Sequence, residues 1–307
     1  MPEILRILSV SLGSSKRNKT ARTELLGIPI EIERIGTDGS LERAIDTISR
    51  MSSEVDSIGL GGIDLYLYAG KRRYTIRDAM KLKRAARGAI VADGSALKNT
   101  LEAEQIQYLA ENHPEIPLKD AKVLVVSAVD RMGMSKELGK LAKEIIFGDL
   151  IFAFGLPLPI RSYKVVERLA LLVLPVATKL PFQLLYPTGE KQEKANPKHR
   201  KWLEWADVIA GDFHFIKRNL PDKLSGKTVI TNTTTEEDRA ELRARGLKWL
   251  ITTTPVIEGR SFGTNVLEAA IWALMKYLGD ELNETNFRIY LNKLDIKPTI
   301  FDLQRDQ

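Results

Sequence analysis

The chain has 307 residues, of which 44% are apolar and 28% are charged, a composition typical of globular proteins rather than of disordered or fibrous ones. It contains no cysteine, which excludes disulfides, thiolate nucleophiles, iron–sulfur clusters and cysteine-ligated zinc. The net charge of +6 is compatible with an anionic small molecule as partner, and no motif that combines aromatic and basic residues indicates nucleic-acid binding.

Short apolar runs alternate with helical patterns in the first part of the chain. Strands are predicted at residues 4–11, 28–35, within 57–68 and at 89–92, and helices at 40–51, 75–86 and 96–112. Two prolines in the segment 113–120 mark the end of this unit, so the first domain is predicted to cover residues 1–118.

The same alternation begins again after the prolines. The fully apolar run 121–127 is typical of a strand buried in a parallel sheet. Further apolar runs lie at 150–154, 207–210, 228–231 and 249–252, and helices are predicted at 134–144, 163–173, 235–245 and 265–278. The pattern predicts an α/β fold of two Rossmann-like parallel-sheet domains. A substrate-type domain precedes a nucleotide-binding domain at 119–279, and the tail 280–307 can return as a helix to the first domain.

The most apolar stretch of the chain covers residues 169–178, between Arg168 and Lys179, and includes Pro175. A helix that spans a membrane needs about 20 apolar residues, so no span is expected. This stretch is interpreted as core or as a surface that touches lipid. The N-terminus has no long apolar segment of the signal-peptide kind, and a cytoplasmic location is expected.

Ligands of open α/β sheets bind beyond the carboxyl ends of the strands, so residues there are candidates for a site. Ser11 and Ser14 follow the first strand and can bind a carboxylate or phosphate, or form a polar loop. Asp64 follows a glycine-rich apolar run. Asp93 precedes a helix whose first turn carries Lys98, a position that opposes the helix dipole. Asp64, Asp93 and Lys98 are interpreted as acid/base residues. The alternatives are a structural bulge at the glycine-rich run and, for the stretch with Asp93 and Lys98, a helix cap formed by Ser95.

The loop after the first strand of the second half stands where a dinucleotide-binding fold carries G-x-G-x-x-G. The candidate cofactor-binding residues of this loop are Ser127, Asp130, Arg131 and Gly133. Only Gly133 matches that pattern, and Arg131 can contact a phosphate in place of the missing glycines. The cofactor is predicted to be NAD or NADP. Small polar residues that follow later strands are predicted to line its crevice, namely Thr231, Asn232, Thr233 and Thr253.

His214 lies beside an acid at a predicted strand end and is a candidate general acid or base. Arg260, Ser261 and Asn265 lie in a glycine-containing loop before a helix and are interpreted as an anion or substrate clamp. No histidine or carboxylate spacing typical of a metal site occurs, so no metal is expected.

Several of these segments together resemble one family. The runs GLGGIDLYL, ADGSALKNTLE, SAVDRMGM, LYPTGEKQE, GDFHFIKR, TNTTTEED and TTTPVIEGRSFGTN are similar to bacterial proteins described as quinate 5-dehydrogenase or quinate/shikimate dehydrogenase-like. The resemblance implies a substrate domain followed by a Rossmann-type domain. It also implies a catalytic Lys–Asp pair, for which Lys98 with Asp93 or Asp64 fits by location only. The glycine-rich dinucleotide loop of shikimate dehydrogenases is absent at residues 127–133.

Three functions are compatible with this pattern. The main prediction is an NAD(P)-dependent oxidoreductase acting on a hydroxy- or oxo-carboxylate in the cleft between the domains. A nucleotide-sugar-type transferase and a non-catalytic metabolite-binding protein that retains an enzyme-like fold are the alternatives. The expected partner is an anionic small molecule, and a homo-oligomer is left open.

Overall fold

A computed structural model of the chain describes residues 4–182 and 197–305. The strands are β1 (Leu5–Ser11), β2 (Lys19–Leu25), β3 (Ile28–Gly36), β4 (Ser57–Gly61), β5 (Tyr66–Ala69), β6 (Arg72–Thr75), β7 (Ile90–Ala92), β8 (Lys122–Val125), β9 (Glu144–Phe147), β10 (Val208–Ala210), β11 (Thr228–Thr231), β12 (Trp249–Thr252), β13 (Val256–Ile257), β14 (Arg260–Ser261) and β15 (Thr299–Asp302). The helices are α1 (Leu41–Met51), α2 (Ala79–Ala85), α3 (Ser95–Asn99), α4 (Leu101–Asn112), α5 (Met132–Leu141), α6 (Asp149–Phe152), α7 (Tyr163–Ala177), α8 (Arg200–Trp205), α9 (Phe213–Arg218), α10 (Glu236–Ala244), α11 (Thr264–Tyr277) and α12 (Glu284–Leu294).

Two sheets that are mostly parallel confirm the predicted α/β fold of two parallel-sheet domains. The first sheet has the order β2-β3-β1-β4-β7, and only β2 is antiparallel to its neighbour. The second has the order β15-β12-β11-β10-β8-β9, and only β15 is antiparallel. Numbered along the chain, the second sheet reads 2-1-3-4-5-6. The usual dinucleotide-binding order is 3-2-1-4-5-6, so the Rossmann order is not the one observed.

Strand order reverses once in each sheet, and these reversals locate the cleft. In the first sheet the chain passes from β1 to β3 on one side and then to β4 on the other. In the second it passes from β8 to β9 and then to β10 on the opposite side. At such a point the loops after the two central strands separate and leave a crevice. The loops after β1, β4, β8 and β10 are therefore the ones that can hold a ligand.

Helices from the end of the chain cover one face of the first sheet. Leu274 of α11 and Leu291 of α12 belong to the same buried cluster as Ile7 of β1, and Ser57 Oγ donates a 2.8 Å hydrogen bond to the carbonyl of Ala269. The chain then returns to the second sheet, where β15 pairs with β12. The tail thus forms a helix on the first domain, as the sequence predicted.

The predicted helix 96–112 is two helices that end in different layers. Thr100, with φ −115° and ψ −75°, separates α3 from α4. Helix α3 packs against α11 as well as α5, whereas Ile106 and Leu109 of α4 join the core of the second sheet. The domain limits at residues 118 and 279 stay predictions.

Gly94, immediately before α3, gives a test of how tightly α3 and α11 pack. Its φ is +87°, and an added Cβ would overlap Thr264 Oγ1 and lie 2.7 Å from the amide nitrogen of Asn265. Gly88 has a similar φ of +93° but nothing within 4 Å of an added Cβ. Both alanine variants should lose stability because alanine disfavours a left-handed backbone conformation. Only Gly94→Ala also overpacks the contact between α3 and α11, which should lower the free energy of unfolding by a further amount of about 1–3 kcal/mol. Urea denaturation measures the difference, and equal losses would contradict this packing.

No helix in residues 4–182 and 197–305 is long and apolar enough to cross a bilayer. The most apolar stretch of the sequence lies at the end of α7, where Ala170, Leu174 and Ala177 are buried while Leu172 and Val176 are exposed. The interpretation as core is confirmed for the buried side chains, and contact with lipid stays a prediction. The cytoplasmic location stays a prediction.

Candidate ligand-binding cleft

A cavity of about 290 Å³ lies between the facing reversal points of the two sheets. The first domain contributes Ser11 and Gly61, at the ends of β1 and β4, and Asp64. The second contributes Ser127 after β8 and Asp212 after β10. The strand-end rule applied to the sequence therefore selected residues that line this cavity.

Lys98 joins the two domains at the polar end of the cavity. Its Nζ donates to Asp64 Oδ1 at 2.6 Å and to Asp130 Oδ1 at 2.5 Å. Burial raises the pKa of Asp64 to about 8 despite the opposing charge of Lys98. Burial also acts against ionisation of Asp130, but the charges of Lys98 and Arg131 outweigh it and keep its pKa below the usual range. The carboxyl groups of Asp64 and Asp130 together therefore hold one proton and one negative charge at neutral pH.

Burial lowers the pKa of Lys98, but the charges of Asp130 and Asp64 outweigh burial, and the net shift is upward. A lysine that serves as a general base needs the opposite shift, toward neutral pH. Lys98 stays an ammonium donor here. This arrangement suits the binding of an oxygen atom better than the transfer of a proton.

Arg131 is almost completely buried beneath the same end, with 1% of its side chain exposed. It forms a close ion pair with Glu102 of α4, and its Nη2 lies 3.4 Å from Asp212 Oδ2. Thr253 Oγ1 donates to the same Glu102 at 3.3 Å. Arg131 was predicted to contact a phosphate and Thr253 to line the cofactor crevice, but both instead connect α4 with the loops after β8 and β12.

The loop after β8 was predicted to bind the pyrophosphate of a cofactor, and its structure does not fit that role. The amides of Ala128 and Val129 donate to the carboxylate of Asp149 at 3.1 and 2.9 Å, so they do not face a ligand. Gly133 allows α5 to approach α3, because an added Cβ would lie 2.6 Å from the carbonyl oxygen of Lys98. Asp149, which the sequence analysis missed, has its pKa raised to about 6 by burial.

Asp93 holds the loop that carries Asp64. Its Oδ2 accepts from the amides of Leu65 and Tyr66 at 2.7 and 2.9 Å, and its Oδ1 accepts from that of Ser95 at 3.1 Å. With both oxygens bonded to backbone donors, Asp93 closes the loop before α3. The residue at the cap position of α3 is Gly94 and not Ser95, the cap that the sequence offered as the alternative. Asp93 positions Asp64 beside Lys98.

Arg17 and Arg34 also line the cavity, near His214. Arg17 Nη1 donates to His214 Nε2 at 3.1 Å, and burial lowers the pKa of His214, which favours the neutral ring as acceptor. Arg34 is 7% exposed and donates to the Ser14 carbonyl at 3.1 Å. Both arginines line the cavity, and neither was among the predicted site residues.

Asn232, Thr233 and Asn265 line the cavity as predicted residues of the site. Asn265 Nδ2 donates to Ser9 Oγ at 3.4 Å. Asn232 is 6% exposed, and among the described residues its Oδ1 has no hydrogen-bond partner. A buried acceptor without a donor costs free energy.

Other predicted residues serve the scaffold. Thr231 Oγ1 donates to the Gly211 carbonyl at 2.8 Å, Ser261 Oγ lies 3.1 Å from Thr234 Oγ1, and Ser14 caps the short turn Ser15–Arg17. The side chain of Arg260 and the whole run LYPTGEKQE fall outside the described residues.

One wall of the cavity is apolar, which the sequence analysis did not anticipate. It is formed by α6, α7 and the loop between them, and includes Leu150, Phe154, Val166, Leu169, Ala170 and Val173. The cleft thus has a charged floor and an aliphatic side.

Glu268 of α11 gives a pH test of the region below the cleft. Burial, reinforced by the charge of Asp93, raises the pKa of Glu268 to about 8, and its Oε2 accepts from the amide of Ala96 at 3.0 Å. The folded state therefore keeps a proton that the unfolded state releases above about pH 4.3. This group adds stability that declines between that pH and about 8, and Glu268→Gln, which mimics the protonated form, should flatten the decline.

Stability against urea from pH 5 to 9 measures this effect, with the exposed Glu281→Gln as the control. Parallel pH profiles for Glu268→Gln and the control would contradict the shift.

Comparisons with known proteins give the family. Residues 96–303 match a family model described as a domain of unknown function (DUF8754), and residues 6–93 match a second one, also described as a domain of unknown function (DUF8753). No curated protein matches the chain.

Several solved structures are similar over most of their length. A solute-binding protein of an ABC transporter from Agrobacterium vitis, bound with α-D-tagatopyranose, has 11% identity and a TM-score of 0.37, with 98% of this chain and 95% of that chain covered. A glucose-galactose binding protein from Geobacillus stearothermophilus has 9% identity and a TM-score of 0.40, with 99% of both chains covered. TM-scores of this size do not establish a common fold, so the ligand has to be inferred from this chain's own residues.

The resemblance to quinate or shikimate dehydrogenases is wrong, because the family models that match the chain describe no dehydrogenase. The predicted oxidoreductase function and its NAD(P)-binding role are corrected for the same reason. Whether NAD or NADP binds as a ligand is a separate prediction that stays untested. The chain belongs to the DUF8754 family, whose model covers residues 96–303.

Proposed function

We propose that this chain is a non-catalytic binding protein for a small, hydroxylated metabolite held between its two domains. The observation that carries the proposal is the mixture of donors and acceptors at the cavity floor. Lys98 donates, the carboxyls of Asp64 and Asp130 accept, and Asn232 has a buried oxygen without a partner. A hydroxyl group donates and accepts at once, so a polyol complements such a floor.

The charge balance favours a neutral ligand over the anion expected from the sequence. The cavity is lined by four cationic side chains and five aspartates, and Lys98 and Arg131 already face carboxylates. An isolated carboxylate or phosphate would meet no excess of positive charge at this end. The volume of about 290 Å³ lies at the lower end of ligand pockets, which suits a small metabolite.

The absence of a catalytic role is supported by the state of the titratable groups. Lys98 is held in its charged form and His214 is neutral with Arg17 donating to it. Both carboxylate oxygens of Asp93 accept hydrogen bonds from backbone amides. Each of these predicted acid/base residues thus has a binding or positioning role that explains its contacts.

Calorimetry and thermal shift with neutral hexoses, pentoses and inositol test the proposal. Quinate, shikimate, NAD, NADP and a nucleoside diphosphate serve as the competing classes, the last for the transferase alternative. We expect saturable binding of a polyol and a rise in melting temperature. Asn232→Ala should weaken binding about tenfold, or 1.4 kcal/mol, while Asn112→Ala, at an exposed helix position, should not. Binding of anions alone, or turnover of any of them, would contradict the proposal.

A further inference from the structure

Exposed aliphatic side chains concentrate on one segment of the surface. Apolar residues of α7, and of the loops before and after it, account for most of the large exposed ones in the described chain: Phe154, Leu156, Leu158, Val165, Leu172, Val173, Val176 and Leu180. Leu172 is 75% exposed and Val176 65%. Isolated exposed leucines are ordinary, but a cluster of this kind marks an interaction surface.

Cations continue the same surface of α7. Lys164, Arg168, Leu172 and Val176 follow one another at intervals of four residues, and each is exposed, so they form a single stripe along the helix. Lys179, just beyond the helix, is also exposed. We refer to the exposed residues of 154–180 as the α7 face.

The hairpin β5–β6 brings more positive charge to this region. Its Ala69 packs against Ala170 and Leu174 of α7, and Lys71 and Arg72 at its turn are exposed. The one acidic side chain of α7 is Glu167, which is half-buried and lies against Gly70 of the hairpin. The surroundings of the α7 face are therefore strongly basic.

We propose that the α7 face docks on the surface of an anionic lipid bilayer. A helix that lies at the interface between a bilayer and water has apolar side chains bordered by lysine and arginine. The apolar side chains enter the region of the acyl chains, and the lysines and arginines contact the headgroups. A second copy of the chain fits less well, because a twofold interface would place the same cations opposite one another. This docking does not depend on the proposed ligand.

The cavity opens toward the same face. Phe154 and Val173 line the cavity and are also exposed, at 58% and 42%. Docking would therefore bring the mouth of the cleft to the membrane surface.

Co-sedimentation of the full chain with vesicles tests the docking. We expect binding to phosphatidylcholine vesicles that contain phosphatidylglycerol, little binding to phosphatidylcholine alone, and weaker binding at high salt. The double variant Leu172→Ser/Val176→Ser should reduce binding about tenfold or more, and Lys164→Gln/Arg168→Gln should reduce it similarly. Leu278→Ser/Leu282→Ser, at exposed positions outside the α7 face, is the matched control. Because all these side chains are exposed, thermal melting should show folded variants.

Failure to bind anionic vesicles would overturn the proposal, as would equal binding by Leu172→Ser/Val176→Ser and the control. Size-exclusion chromatography with light scattering measures the oligomeric state and so tests a second copy of the chain as the occupant. A dimer that dissociates in the variant Leu172→Ser/Val176→Ser would assign the α7 face to a second copy.

Discussion

Replacing Lys98 by methionine is expected to lower the free energy of unfolding by about 3–5 kcal/mol, the range for removing one partner of a buried ion pair. Lys98 contacts two buried carboxyls, Asp64 and Asp130, and its side chain is 10% exposed. Without the ammonium, both carboxyls are disfavoured in their charged forms. Their pKa values in the folded state then lie above the unfolded ones, so the loss should be larger at pH 8 than at pH 5.

Urea denaturation at these two pH values measures the effect. Lys140→Met is the matched control, because Lys140 pairs with Glu137 at 2.7 Å but is 56% exposed, and such pairs contribute about 0–1 kcal/mol. Lys98→Met/Asp64→Asn should recover part of the loss by removing one of the two carboxyls. If Lys98→Met were no worse than the control, the bridge between the domains would not contribute to stability.

Arg131→Met is expected to have a comparable effect within the second domain, about 3–5 kcal/mol. Glu102 is fully buried and pairs with Arg131 through Oε1, while its Oε2 has no hydrogen-bond partner among the described residues. Asp212 would also lose its contact with Nη2. The variant thus leaves a carboxylate in the interior with only Thr253 as donor.

Thermal and urea unfolding of Arg131→Met should be compared with Arg50→Met, whose ion pair with Asp46 is 69% and 63% exposed on the two sides. Adding Glu102→Gln to Arg131→Met should restore stability, because the amide is neutral in the same space. A double variant as unstable as Arg131→Met alone would show that packing of the guanidinium, and not its charge, is what matters.

The alternation of strands and helices could be predicted because the apolar runs are short and buried on both faces. The structure has strands at 5–11, 208–210, 228–231 and 249–252, where the sequence predicted them. Strand β9 was missed, since Glu144–Phe147 follows a helical pattern directly and three apolar residues do not distinguish a strand from a helix end. The predicted run at 150–154 is instead largely helix α6.

The candidate site could be predicted residue by residue but not as an arrangement. Lys98, Asp64 and Asp130 were all selected as strand-end residues, yet Asp130 was assigned to a cofactor and the other two to catalysis. Their meeting depends on how the two sheets face each other, which no local pattern encodes. Arg34 was missed although it occupies an inward position of β3, where a charged residue is unusual and signals a partner.

The route of the chain also affects how the protein is made. Leu5, Ile7 and Ile30 belong to one buried cluster with Phe287, Tyr290 and Leu291, so β1 and β3 leave the ribosome long before α12 does. Until α12 has been synthesised, the apolar surface that it covers on the first sheet stays exposed to water. Contacts so distant in sequence slow folding and expose the nascent chain to aggregation. We expect translation of this protein to depend on holdase chaperones more than that of a chain whose domains fold one after the other.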